Sequence, residues 1–88
     1  MKKVKMFYME NCPHCMKAFR ILDELKASNP EYSDIYVECI DENKDVKAAS
    51  AHDYYYVPTF YVDGVKLHEG VPTVEKIERV LIEAIKKI

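Results

Sequence analysis

Lys3-Val4-Lys5-Met6-Phe7-Tyr8, followed three residues later by Cys12-Pro13-His14-Cys15, decides how this chain folds. The first six residues alternate. Val4, Met6 and Tyr8 share one face and Lys3, Lys5 and Phe7 the other, which is the period of a strand. Asn11-Cys12-Pro13 then reads as a helix start, with Asn11 or Cys12 at the cap. Pro13 falls in the first turn, where its missing N–H leaves no intrahelical bond unmade. From Cys15 onward Phe19, Leu22 and Leu25 recur at helical spacing, with Lys17, Arg20, Asp23 and Glu24 between them. The helix should end by Ser28-Asn29-Pro30, because the residue before a proline disfavours helical angles.

Outward from that unit, Asp34 to Ile40 reads as a second strand, with Ile35, Val37 and Cys39 inward against Tyr36 and Glu38. Asp41 is placed to cap a short helix running to about His52, with Val46 and Ala49 inward. Pro58–Val62 and Val65–His68 are two short strands. Asp63-Gly64 between them is a hairpin signal, since a type I′ turn needs positive φ at both central residues. Thr73 caps a terminal helix whose apolar stripe is Val74, Ile77, Val80, Leu81, Ala84, Ile85 and Ile88. The predicted order is β-α-β-α-β-β-α. The first two strands need a right-handed crossover and should be parallel, and the last two antiparallel. The expectation is an α/β fold with a four-stranded mixed sheet and helices on both faces.

The chain has 88 residues, which suits a single domain over 1–88. Its 49% apolar and 32% charged residues fit a soluble globular protein and exclude a disordered tail. The longest uncharged apolar-rich run, Tyr54 to Val62, falls well short of the ~20 residues that span a membrane. A formal net charge of -2 gives no basic excess for nucleic acid. No leader pattern is visible behind Met1, so the cytoplasm is the expected compartment. Three cysteines are too few for a disulfide-stapled secreted scaffold.

Two of those cysteines carry the chemistry. Cys12 and Cys15 are three apart on a first helical turn, so their side chains lie on one face, close enough to bridge. Cys12 sits near free backbone N–H groups and the positive end of the helix dipole, which stabilise a thiolate more than a thiol. The thiolate is the nucleophile in disulfide exchange. Cys15, one turn deeper, would resolve the mixed disulfide. His14 beside the sulfur would add thiolate stabilisation, and about 1.4 kcal/mol of it moves a two-electron couple by roughly 30 mV toward oxidation. Metal binding is the competing reading. It needs about four ligands, and Cys39, His52 and His68 fall on a separate strand, a helix end and a hairpin arm. No metal site is assigned.

Cys12-Pro13-His14-Cys15 after a strand, with Val57-Pro58-Thr59-Phe60 ahead of the Asp63-Gly64 hairpin, resembles the thioredoxin/glutaredoxin superfamily over nearly the whole chain. The size and strand-first start look like glutaredoxin, and the Pro-His dipeptide is that of DsbA-type oxidants. The resemblance implies a thiol–disulfide oxidoreductase that reduces protein or small-molecule disulfides. It also implies that Pro58 is cis and lies against Cys12-Pro13-His14-Cys15, and that the Val57 backbone pairs with a bound peptide or glutathione. Tyr56 and Gly70 would help form that binding surface, with Glu69-Gly70 where glutaredoxins place a Gly-Gly turn. The implied protein carries no resident cofactor, with glutathione as the one co-substrate left open. It acts as a monomer, and its electrons come from glutathione or a thioredoxin reductase.

Other residues receive plainer readings. Cys39 is expected to be a buried, inert thiol. His52 reads as a helix-end cation favoured by the dipole, and His68 as a solvent-facing hairpin residue. At least one of Tyr54, Tyr55 and Tyr56 should be core, with the others free to line a groove beside Cys12. Glu10 should point to water, away from the thiolate, and Lys17 should lie on a solvated face.

Overall fold

Strand β1 (Val4–Tyr8) is hydrogen-bonded on both sides in the computed structural model, which describes residues 1–86. It is followed by α1 (Pro13–Ser28), a 3-10 turn at Pro30–Tyr32, β2 (Val37–Asp41) and α2 (Val46–Ser50). Strands β3 (Thr59–Val62) and β4 (Val65–Glu69) and helix α3 (Val74–Ile85) complete the chain. The sheet order is β2-β1-β3-β4. β1 runs parallel to β2, with Met6 opposite Cys39, and antiparallel to β3, with Met6 opposite Phe60. The architecture is the α/β mixed sheet that the sequence pattern implies.

The period-2 alternation of β1 divides the interior in two. Val4, Met6, Phe60 and Val62 face Ala18, Ile21 and Leu22 of α1 and Ile77, Val80, Leu81 and Ala84 of α3. Phe7, Ile40 and Tyr61 face the other way, covered by Ala48 of α2 and by Tyr54 and Val57. The two long helices therefore share one face, and the short helix with the tyrosine segment closes the other. Met6, Phe7 and Phe60 have no exposed surface. At about 1.5–3 kcal/mol for each such side chain, these three alone are comparable with the net stability of a small domain, roughly 5–15 kcal/mol.

Local chemistry sets the element ends. Asn11 takes a left-handed conformation (φ 62°), which asparagine tolerates better than most residues. That leaves Cys12 as the cap of α1. The helix stops where both the backbone N–H and Nδ2 of Asn29 donate to the Leu25 carbonyl, just before Pro30. Thr73 caps α3, its Oγ1 accepting the Lys76 N–H at 3.2 Å. Asp63 (φ 47°) and Gly64 (φ 83°) make the expected turn.

Several expectations need correction. β2 begins at Val37, not Asp34, because the 3-10 turn draws the Ile35 N–H onto the Tyr32 carbonyl and buries Ile35 outside the sheet. Asp45, not Asp41, caps α2, its carboxylate accepting the Ala48 N–H at 3.1 Å. Val46 then opens the helix facing solvent, and Ala48 packs inward. Val74 likewise opens α3 exposed, and Ile88 lies outside the described residues. Cys39 is exposed: β2 is an edge strand, so pointing to the helical side does not bring its thiol beneath a helix. His68 is buried. Tyr61 pairs with Lys66 but Phe60 pairs with His68, so Leu67 is an extra residue, a bulge in β4. The bulge turns His68 onto the helical face beside Phe60, opposite to where simple alternation points it.

Candidate active site

α/β sheets place their chemistry at the C-terminal ends of their parallel strands, here the Tyr8 and Asp41 ends of β1 and β2. The chain leaves β1 at Tyr8, turns through left-handed Asn11 and enters α1 at Cys12. As the cap, Cys12 presents Sγ to the helix end and accepts the Cys15 N–H at 3.4 Å. This N–H is one of the orphan donors of a first helical turn, and the dipole adds positive potential at the same point. Cys12 is half-buried, and Pro13 and His14 are exposed on the turn between the cysteines. Cys15 has no exposed surface, and both thiols are free.

The two sulfurs thus occupy different environments. Burial pushes the Cys15 thiol up to about 12, reinforced by its hydrogen bond with Cys12 and by the negative character of Cys12 and Glu42, while the Met9 backbone pulls the other way. Desolvation disfavours the charged thiolate, so wholly buried Cys15 is held protonated while Cys12 is only half-buried.

Opposite this turn is the segment leading into β3. Phe7 pairs with Thr59, which brings the preceding Val57–Pro58 bond to the same end of the sheet as Tyr8. That bond is cis and Pro58 is buried. Gly70 (φ 93°) lies beside it, its N–H donating to the Pro58 carbonyl at 3.0 Å and its own carbonyl accepting from His68 Nε2 at 2.8 Å. Both Gly70 backbone groups are therefore engaged within the protein. Burial holds the His68 imidazole below its ordinary value, which favours the neutral ring that makes this bond.

The three tyrosines separate. Tyr54 is half-buried, stacked on Phe7 at 5.0 Å with its hydroxyl donating to Glu42 at 2.8 Å. Tyr55 and Tyr56 are exposed, at 86% and 70%. Their backbone N–H groups both donate to the Glu69 carboxylate, at 2.5 and 2.9 Å, and Lys66 Nζ reaches the other Glu69 oxygen at 2.7 Å. The Lys66 ammonium and the two N–H groups hold the Glu69 carboxyl down at about 2. Sequence reasoning missed Glu69. On simple alternation it faces the helices, and only the Leu67 bulge aims it at the tyrosine segment.

The remaining candidates do not converge on the site. Glu10 points to water and pairs with Lys44 at 3.1 Å, and Lys17 is exposed. His52 lies just past α2, its Nδ1 on the Ala48 carbonyl and its ring 4.6 Å from Phe7. Among the described residues no group of three or more His, Cys, Asp or Glu side chains is placed to hold a metal ion.

A Cys-x-x-Cys pair opening the first helix, on a β2-β1-β3-β4 sheet with a cis-proline before the hairpin, defines a thioredoxin-like protein. Comparison with known proteins agrees. The thioredoxin domain family matches residues 2–82. A curated thioredoxin from Methanocaldococcus jannaschii is 33% identical over 85 residues, spanning 97% of this chain and 93% of that protein. A mutant thioredoxin from Halobacterium salinarum superposes with a TM-score of 0.70 at 21% identity, over 99% of this chain and 77% of its own. A malarial protein superposes with a TM-score of 0.73 at 16% identity, over 98% and 99%. The chain belongs to the thioredoxin domain family.

Proposed function

We propose that this protein is a thiol–disulfide oxidoreductase that reduces disulfides through Cys12 and Cys15. The observation that carries the reading is the asymmetry of the pair: a half-buried cysteine capping a helix, with a proton-retaining cysteine wholly buried one turn away. Cys12, as thiolate, attacks one sulfur of a substrate disulfide. The substrate S–S bond breaks, and the departing sulfur takes up a proton. Cys15 then gives up its proton and attacks the Cys12 sulfur of the mixed disulfide. The Cys12–Cys15 bond forms, the second substrate thiol leaves, and two electrons have passed to the substrate. Once Cys12 is tied in the mixed disulfide its negative charge is gone, which removes one of the causes that keep Cys15 protonated. Pro13 shapes the turn and His14 tunes the couple from the exposed side.

The oxidised pair needs an external dithiol. A reductase protein of the thioredoxin reductase kind suits the family better than glutathione, with support from the name of the 33% identical relative. Among the described residues no helix is long and apolar enough to cross a membrane. The reducing cytoplasm is the setting in which such a couple works toward reduction. The test is dithiothreitol-driven reduction of insulin by the purified protein and by a Cys12→Ser variant, followed by turnover with glutathione against a thioredoxin reductase. Wild-type turnover that Cys12→Ser abolishes supports the proposal. Equal rates for the two proteins refute it.

A further inference from the structure

The segment between α2 and β3 is tied to the sheet at several points. The Asp53 carbonyl accepts from the Tyr61 hydroxyl at 2.7 Å and from Lys66 Nζ at 3.2 Å. Tyr54 is fixed by Phe7 and Glu42. The Tyr55 and Tyr56 N–H groups are taken by Glu69, and the Tyr56 carbonyl by the Thr59 hydroxyl. Val57, next to the cis bond, is not held in this way. Among the described residues neither its N–H nor its carbonyl has a hydrogen-bond partner. An unpaired donor and acceptor on one residue just before a strand form a short open edge, and such an edge pairs with an extended chain. It lies at the end of the sheet that carries Cys12.

What holds that edge in place is Glu69. Its carboxylate is the partner of the two N–H groups immediately before Val57, and its main chain pairs with Thr59 immediately after Pro58. Charge-assisted bonds of this kind are about twice as strong as neutral ones. The Lys66–Glu69 ion pair lies within the bulged strand β4, and the same Lys66 ammonium reaches back to the segment at the Asp53 carbonyl.

We propose that Glu69 is a positioning residue, clamping Tyr55 and Tyr56 so that the Val57 backbone is presented to an extended polypeptide carrying the substrate disulfide. The proposal rests on the oxidoreductase reading above. Glu69 touches neither sulfur, so its contribution lies in binding the polypeptide and not in the exchange step.

The experiment measures insulin reduction, fed by dithiothreitol, in wild type, Glu69→Ala, Glu69→Gln and Lys66→Met, with the reduction potential of the Cys12–Cys15 couple of each. Glu69→Ala should raise KM for insulin about tenfold, equivalent to roughly 1.4 kcal/mol, with kcat changed less than twofold and the potential unmoved. Glu69→Gln keeps one neutral acceptor and should recover part of the loss. Lys66→Met keeps the carboxylate and removes its counter-ion, so it should raise KM by about threefold. Because it leaves the clamp's acceptor intact, it also carries the test if Glu69→Ala fails to fold. An unmoved KM, a fall confined to kcat, or a shifted potential overturns the assignment of Glu69. Wild type that fails to reduce insulin at all overturns the oxidoreductase reading instead, and the clamp with it.

Discussion

Iodoacetamide labelling of the reduced, native protein reads the asymmetry of the three thiols directly. At pH 8 a thiol at the ordinary 9.0 is about one-tenth ionised, whereas one at about 12 is ionised to about one part in ten thousand. Alkylation proceeds through the thiolate, so ionisation alone slows Cys15 by roughly a thousandfold. Its complete burial works in the same direction. Cys39, exposed on the sheet edge, provides an internal reference, though partial desolvation raises its thiol somewhat, against the pull of Lys26, and so narrows its contrast with Cys15. With timed quenching and peptide mass spectrometry at pH 8, Cys12 should be modified first, and Cys15 at least about a hundredfold more slowly than Cys39. The order should collapse in denaturant, where burial is lost. Native labelling of Cys15 within about tenfold of Cys39 would falsify the account of a desolvated resolving thiol. The same shift has a stability consequence. A folded-state thiol raised from 9.0 to about 12 contributes stability that is whole below pH 9 and is lost as pH rises toward 12.

Three further outcomes follow from the geometry. Glu69, held at about 2 in the fold against 4.5 normally, contributes stability that is present above pH 4.5 and lost as pH falls toward 2. Urea melts should therefore show a shallower acid loss across that window in Glu69→Gln than in wild type, and identical slopes would refute the clamp's ionic character. Gly64→Ala meets no neighbouring atom but must adopt φ 83°, so it should cost about 1 kcal/mol through backbone strain alone. A neutral result in thermal melts would show that the hairpin turn rearranges. Cys39→Ser, at an exposed edge position, should change stability by less than about 0.5 kcal/mol, and a loss above about 2 kcal/mol would place that thiol in a core.

The order of elements was legible because each rests on local chemistry: alternation in β1, a cap and a proline opening α1, a positive-φ dipeptide at the hairpin. The cysteine pair was legible for the same reason, since three positions on one helical turn bring its members together whatever the rest of the chain does. Errors arose where a residue's surroundings depend on other strands. Cys39 alternates correctly, yet its neighbour strand lies on one side only. Val46 reads as inward from a cap at Asp41, but the cap is Asp45, so Val46 opens the helix facing solvent.

Local sequence therefore determined the order and type of the elements and the position of the reactive pair, because dihedral preference, capping and apolar period act over a few residues. Tertiary structure decided how the site is walled. One extra residue at Leu67 reverses the facing of everything after it in β4, burying His68 and sending the Glu69 carboxylate to the segment before Pro58. A strand alternates with period two, so a single-residue slip exchanges its faces, and that slip is set by the partner strand across the ladder.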